Sequence, residues 1–289
     1  MRIVYFCDTK NFITGEIAEA LRKSNKVGVF DENDCGVKEV VEAANVSDLF
    51  LFHKGGIKTT IPLEYQLSLT RLQNILDQIK CKKAVWFLEK MWGMNTQLID
   101  EMLPFVDKAF LVDETFVRRC KEEKFIPLHP GCELKNGNFD PNLVSDIAFA
   151  GEIYGLRSIF TNPIKQQYGR KFKIYNDVFD NFADLCVSAK IMFIPKFPQN
   201  EFYWNNRIYQ ILACGGFVVS PELQGLKDEG FINGKHYITY SSVDNLLFSL
   251  DYFLKPEAEE ARKKIAENGK SFVAQFTWET RLKTLLDNI

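Results

Sequence analysis

Several kinds of chemistry are missing from this chain of 289 residues. It has three histidines (His53, His129, His236), and its seven cysteines (Cys7, Cys35, Cys81, Cys120, Cys132, Cys186, Cys214) include no CxxC pair. No ligand spacing for a structural metal exists, and an odd, dispersed set of thiols excludes a disulfide framework. No apolar run approaches the ~18 to 20 residues that span a bilayer, and the Met1 to Phe6 start lacks the charged n-region and long h-region of a secretory signal. The chain therefore reads as soluble and cytoplasmic, with reduced thiols. Charge of one sign is lacking too. Lys+Arg 36 against Asp+Glu 38 leaves a formal charge of -2, so no global field recruits nucleic acid or acidic membranes, though a local basic groove stays open. The first strand is not followed by G-x-G-x-x-G, which removes the sequence argument for a dinucleotide.

What is present is a repeating alternation of apolar strands and amphipathic helices, with 46% hydrophobic residues and 25 phenylalanines to fill real cores. The most informative stretch is NNRIYQILACGGFVVSPELQGL, residues 205–226. Ile208, Ile211, Leu212 and Ala213 have helical spacing, Gly215-Gly216 ends the helix, and Phe217-Val218-Val219 has the composition of a strand buried on both faces. That is half of an α/β unit, and such units bind ligands at the carboxyl ends of their strands. Before it, RIVYF, KVGVF, DLFLF, KAVWFL and KAFLV read as strands separated by helices, with 125–128 closing the series. After a turn-rich stretch at 129–145, IAFA, FKIY and the strand at 191–194 restart the alternation. The pattern predicts an α/β protein of two Rossmann-like domains, 1–128 and 146–289, with 129–145 as linker and a helical tail on the second domain. Such a pair facing across a cleft lets one half hold a nucleotide and the other an acceptor.

From residue 146 onward the chain resembles the group 1 glycosyltransferases of the GT-B fold, in particular their spore-maturation-type (CgeB-like) branch. FAGEIYGLR is similar to the family's strand, Gly and Arg pattern, and RIYQILACGG to its R-x-[FY]-E-x-x-A-x-G-[GA] block. GLKDEGF, NGKHYITY and the Phe276-Thr277-Trp278 ending follow the family order. A weaker likeness before residue 131 includes HKGG, WFLE and KAFLVDETFVRR ahead of HPG.

The resemblance implies a donor site carried by Gly151, Tyr154, Arg157, Lys196, Arg207, Gln210, Gly215, Gly216 and Glu229. Physics supports several of these roles. A glycine after a strand lets backbone approach a diphosphate, and the next helix offers free N–H groups and a partial positive charge. Arg157 adds a bidentate phosphate contact, or else is a solvated helix charge. Arg207 and Gln210 lie one turn apart and share a helix face. Relatives carry Glu where this chain has Gln210; the amide keeps one acceptor but forfeits a charge-assisted ribose bond worth roughly 1 kcal/mol. Gly215-Gly216 admit a sugar or simply finish the helix, Glu229 binds sugar hydroxyls or is a loop charge, and Lys196 reaches phosphate or is an exposed lysine. Phe202, Tyr203 and Trp204 stack on a ligand or cover the cleft. Cys214 reads as core packing.

On the N-terminal side Asp8, His53 and Glu89 each follow a strand. His53 or Glu89 would suit a general base for an acceptor hydroxyl in an inverting enzyme, whereas a retaining enzyme needs none from the protein. Lys54-Gly55-Gly56 is an acceptor or phosphate loop, or a turn. The function expected is transfer of a sugar from a UDP-linked or other nucleoside diphosphate donor to a hydroxyl acceptor (polysaccharide, protein, metabolite or modified DNA base), with no metal and no other cofactor. The alternatives are an inactive nucleotide-binding pseudo-transferase or scaffold on the same fold, and, more remotely, an epimerase or phosphorylase.

Overall fold

The computed structural model describes residues 1–54, 62–91, 94–153, 155–176, 178, 180–195 and 202–289, the side chains of 54, 62–68, 94 and 156 excepted. The chain divides into two compact units: Met1–Gly131 with Tyr203–Asn205 and Trp278–Ile289, and Cys132–Phe202 with Asn206–Thr277.

The first unit alternates β1 (Arg2–Cys7), α1 (Phe12–Arg22), β2 (Lys26–Asp31), α2 (Val37–Asn45), β3 (Leu49–Lys54), α3 (Pro62–Gln78), β4 (Lys82–Phe87), α4 (Met94–Met102), β5 (Lys108–Leu111), α5 (Glu114–Cys120) and β6 (Phe125–Pro127). The strands form one parallel sheet in the order β2-β1-β3-β4-β5-β6. Its apolar runs are continuous because both faces are covered. Ile3, Tyr5 and Cys7 of β1 enter one core with Ile17 and Leu21 of α1, while Val4 and Phe6 enter the opposite core with Val40 of α2 and Ile75 of α3. Side chains of odd and even number thus serve different layers, as the strand period of two requires. The helix starts are set locally: the Asn11 side chain accepts the Ile13 N–H at 3.0 Å, and the Asp113 carboxylate caps α5 by accepting from Phe116 N.

The second unit runs β7 (Ser145–Ala150), α6 (Ser158–Tyr168), β8 (Phe172–Tyr175), α7 (Phe182–Ser188), β9 (Ala189–Phe193), α8 (Arg207–Ala213), β10 (Val218–Pro221), α9 (Gln224–Asp228), β11 (Ile238–Tyr240), α10 (Val243–Leu254) and α11 (Glu259–Val273). Its parallel sheet has the order β11-β10-β9-β7-β8. One face packs Phe149, Phe193, Phe217, Val219 and Tyr240 against Ile164 of α6 and Leu246 and Leu250 of α10.

The two strand orders fix where a ligand belongs. In the first sheet the chain leaves β1 for β2 on one side and returns to β3 on the other; in the second it leaves β7 for β8 and returns to β9. Each reversal opens a crevice at the carboxyl ends of the two strands that flank it, β1/β3 and β7/β9 respectively.

The structure partitions the chain differently from its linear pattern in three places. Residues 129–145 are no linker: 129–131 complete the first unit, and 132–145 belong to the second, where Cys132 N donates to Phe276 O at 3.1 Å and Asn138 N to the Asp184 carboxylate at 2.6 Å. The expected helical tail of the second domain splits as well, since α12 (Trp278–Asp287) belongs to the first unit. Trp278, Leu282 and Leu285 are buried on the α1 face of the first sheet, Trp278 meets Trp86 edge-on at 5.8 Å, and its indole N–H donates to Glu16 at 2.8 Å. Burial of that apolar stripe, not sequence order, decides which unit owns the helix. Third, Tyr203–Asn205 joins the first unit although it lies between β9 and α8. Smaller differences are β3, which continues through His53 and Lys54, and the short α9, which the sequence pattern did not signal.

Candidate functional site

The β7/β9 crevice of the second unit is built on the turn Phe149-Ala150-Gly151-Glu152. Gly151 has φ +140°, and its N–H donates to Tyr175 O at 2.7 Å, so the chain bends sharply at the end of β7. A Cβ placed on Gly151 would stand 2.5 Å from Arg207 Nη1 and 3.3 Å from Phe149 Cζ. Glycine is thus required twice, for its dihedral and for the space that Arg207 fills. Arg207, at the start of α8, donates to the Ala150 carbonyl through Nη1. Arg157, in the turn before α6, donates from Nη1 to Glu152 O at 2.8 Å and lies 5.9 Å over the Phe149 ring. Two guanidinium groups therefore converge on one glycine turn at a topological switch point. Planar guanidinium donors and backbone that can be closely approached are a combination able to bind phosphate oxygens.

The other donor candidates divide. Gln210 is half-buried one turn after Arg207, and its amide makes no hydrogen bond among the described residues. Gly215, at φ +83°, takes the left-handed position after α8 and donates to Leu212 O at 2.9 Å, which is a helix stop. Gly216 is buried, and a Cβ there would meet Ile211 Cγ2 at 2.7 Å and Cys186 O at 3.1 Å, so its smallness serves packing of α8 against α7. Glu229, half-buried after α9, accepts a hydrogen bond from the Tyr209 hydroxyl. Tyr209 is fully buried, edge-on to Phe231 at 5.8 Å and Phe276 at 5.7 Å, so an aromatic cluster holds the carboxylate in place. Tyr154 and Lys196 lie outside the described residues.

In the first unit, Asp8 and His53 flank the β1/β3 switch point. Asp8 Oδ1 accepts from Lys10 N at 3.0 Å, which shapes the loop into α1. His53 is buried with Nδ1 3.1 Å from the Tyr5 hydroxyl. Burial, first, and Cys7 push the Tyr5 phenol well above its usual range. Glu89 follows β4 and is exposed. The backbone of Lys54 ends β3; its side chain and Gly55-Gly56 lie outside the described residues. Among the described residues, no group of three His, Cys, Asp or Glu is placed to hold a metal ion.

Sequence reasoning missed Tyr209 and His129, and gave Trp204 other partners. Tyr209 was masked by its place in an apolar helix, and only the cluster around it reveals the Glu229 contact. His129, assigned to a linker, is buried just beyond β6, with Nε2 3.5 Å from Glu114 Oε2. Trp204 stacks on that imidazole with centroids 4.1 Å apart and planes 22° apart. The signal available was HPG at a strand end; its partners are distant in sequence and could not be paired from spacing.

Residues 157–287 match the family model described as glycosyl transferase-like. No curated protein sequence matches the chain. Among solved structures, an alpha-glucosyltransferase in complex with UDP-glucose and DNA containing an abasic site superposes with TM-score 0.73 at 9% identity, covering 100% of this chain and 99% of that one. Anabaena HepE in complex with UDP and glucose gives 0.70 at 12%, with 100% and 99% covered. Sucrose-phosphate synthase from Thermosynechococcus elongatus gives 0.68 at 10%, with 100% and 98% covered. The fold is that of the GT-B glycosyltransferases.

Proposed function

We propose that the protein transfers a sugar from a nucleoside diphosphate donor, UDP-linked, to a hydroxyl acceptor, with the donor diphosphate held at the Gly151 turn of the second unit. The observation that carries this is the convergence of Arg157 and Arg207 on a glycine turn at the β7/β9 switch point. The UDP or UDP-glucose named in the structures of the HepE and alpha-glucosyltransferase relatives supports the choice of nucleotide. The motif pair FAGEIYGLR and RIYQILACGG supports the CgeB-like branch within this class. In this reading the two arginines and the helix N-terminus offset the charge of the departing diphosphate, so that no divalent metal is needed. Gln210 and Glu229 face the ribose and the sugar, and the first unit supplies the acceptor side. His53 and Glu89 are the candidates for a base if the reaction inverts configuration. A cytoplasmic location belongs to the same proposal, supported by seven free thiols.

Calorimetry with UDP, GDP, ADP and their sugars tests the reading. UDP should bind the folded wild-type chain, Arg157→Ala should weaken it at least tenfold, and Cys214→Ala should leave it nearly unchanged. Folded protein that binds none of these nucleotides refutes the proposal. The second reading, a nucleotide-binding pseudo-transferase, is favoured by Gln210 alone; UDP binding with neither transfer nor donor hydrolysis, unrelieved by Gln210→Glu, would establish it.

A further inference from the structure

The first unit buries a chain of polar side chains beneath its β1/β3 switch point, and the donor site makes no use of them. Tyr5 lies opposite Leu51 in the β1/β3 ladder, which runs on through Phe6 and Phe52. His53 therefore stands two residues beyond Leu51 on the face that Tyr5 and Cys7 share, the one packed against α1. Tyr5 is fully buried, Cys7 and Thr14 are buried beside it, and His53 is 4% exposed. The Tyr5 hydroxyl is 3.1 Å from His53 Nδ1, a hydrogen-bonding distance. Cys7 Sγ is in hydrogen-bonding contact with the Tyr5 hydroxyl on one side and with Thr14 on the other. Thr14, on α1, gives its own proton to the main chain: its Oγ1 lies 2.7 Å from Asp8 O and 2.6 Å from Asn11 O.

The direction of these bonds follows from counting protons. Burial, first, raises the Tyr5 phenol well above its usual range and pushes the Cys7 thiol up to about 12, so at neutral pH each keeps its one proton. The Thr14 proton is committed to carbonyls, which only accept. Cys7 therefore receives nothing from Thr14 and must itself donate, to Thr14 Oγ1 or to the Tyr5 oxygen. The Tyr5 proton then has two acceptors within reach, a thiol sulfur and an imidazole nitrogen, and sulfur is the weaker. The opposite arrangement, with Nδ1–H donating to Tyr5 and Tyr5 to Cys7, would exchange an O–H···N bond for an O–H···S bond inside the core, where hydrogen bonds are electrostatically stronger than in water.

We infer that Tyr5 is a positioning residue for His53: its hydroxyl donates to Nδ1 and holds the neutral imidazole as the Nε2–H tautomer. The bond made by one ring nitrogen decides where the proton of the other sits. In that form the lone pair is engaged by Tyr5, so His53 offers a hydrogen bond to an oxygen at the carboxyl end of β3 and takes no proton from it. This narrows the acceptor side of the transfer proposed above, on which that consequence rests: His53 is a donor to an acceptor oxygen, and Glu89 is left as the candidate base. The tautomer itself does not depend on that reaction.

Two-bond proton–nitrogen correlation spectra of 15N-histidine-labelled protein, recorded without nucleotide at pH 8, where an ordinary imidazole is neutral, test the inference. The chain has three histidines, so the ring pattern missing from His53→Gln belongs to His53, and His129→Gln and His236→Gln identify it by elimination. In wild type the nitrogen coupled to both ring C–H protons, Nε2, should have the shift of a protonated nitrogen, and Nδ1 that of a nitrogen with a lone pair. Tyr5→Phe, checked for folding by its melting temperature, should move the two shifts toward each other as the ring samples both tautomers. A wild-type proton on Nδ1, or on both nitrogens, would overturn the inference, and so would a wild-type pattern in Tyr5→Phe. If Tyr5→Phe does not fold, the wild-type spectrum alone decides. Failure of the protein to bind UDP would instead remove the transferase reading and leave the tautomer standing.

Discussion

Gly151→Ala is the most demanding test of the donor turn, because the structure predicts a loss of both stability and affinity from a single methyl group. At φ +140° a side chain brings backbone strain of about 1–3 kcal/mol. The new Cβ would also stand 2.5 Å from Arg207 Nη1, so the guanidinium must leave the Ala150 carbonyl, at about 1.5–3 kcal/mol for a charge-assisted bond. Arg207 is long and can swing, so the two costs overlap and the total is about 2–4 kcal/mol. In a unit of this size that corresponds to a melting temperature lower by about 5–12 °C. UDP affinity should fall at least tenfold if the proposed donor site includes the displaced arginine. Gly216→Ala is the matched control. Its Cβ would press on Ile211 and Cys186, so overpacking costs about 1–3 kcal/mol, yet no arginine moves and UDP affinity should persist. Differential scanning calorimetry and titration with UDP separate the two. A Gly151→Ala protein that melts lower but binds UDP like wild type would refute the donor role of the turn; one that matches wild type in both would refute the geometry.

Two further expectations concern buried contacts. Tyr209→Phe removes the hydroxyl that holds Glu229 and should lower the urea-unfolding free energy by about 1–2 kcal/mol, less than a fully buried charged bond because the half-buried carboxylate regains water. The His129 hydrogen bond, followed by Arg118, lowers the Glu114 carboxyl from 4.5 to about 2. A folded-state value below the unfolded one contributes stability that is fully present above about pH 4.5 and is lost as the pH falls toward 2. Glu114→Gln lacks that contribution, so its melting temperature should decline less than that of wild type between pH 5 and pH 3; parallel declines would show that Glu114 is not held by these partners.

The sequence by itself determined most of the strands and helices and the class of fold, because these depend on short-range rules. β8 lies at the residues that FKIY predicted, and β7 ends at the glycine expected to follow it. The chain order of helix and strand also fixed two parallel sheets. What it could not determine is everything set by contacts distant in sequence. Trp278 lies 262 residues from its partner Glu16, and its helix has the apolar stripe of any surface helix, so only tertiary burial assigns α12 to the first unit. The same reason hid the linker's true division, since 132–145 is turn-rich in sequence and yet bonded to α7 and to Phe276. It also hid the Tyr209–Glu229 contact and the seating of Trp204 on His129. Gly151 was legible as a glycine a phosphate could approach; only the folded second unit shows that Arg207 already occupies the space where its side chain would be.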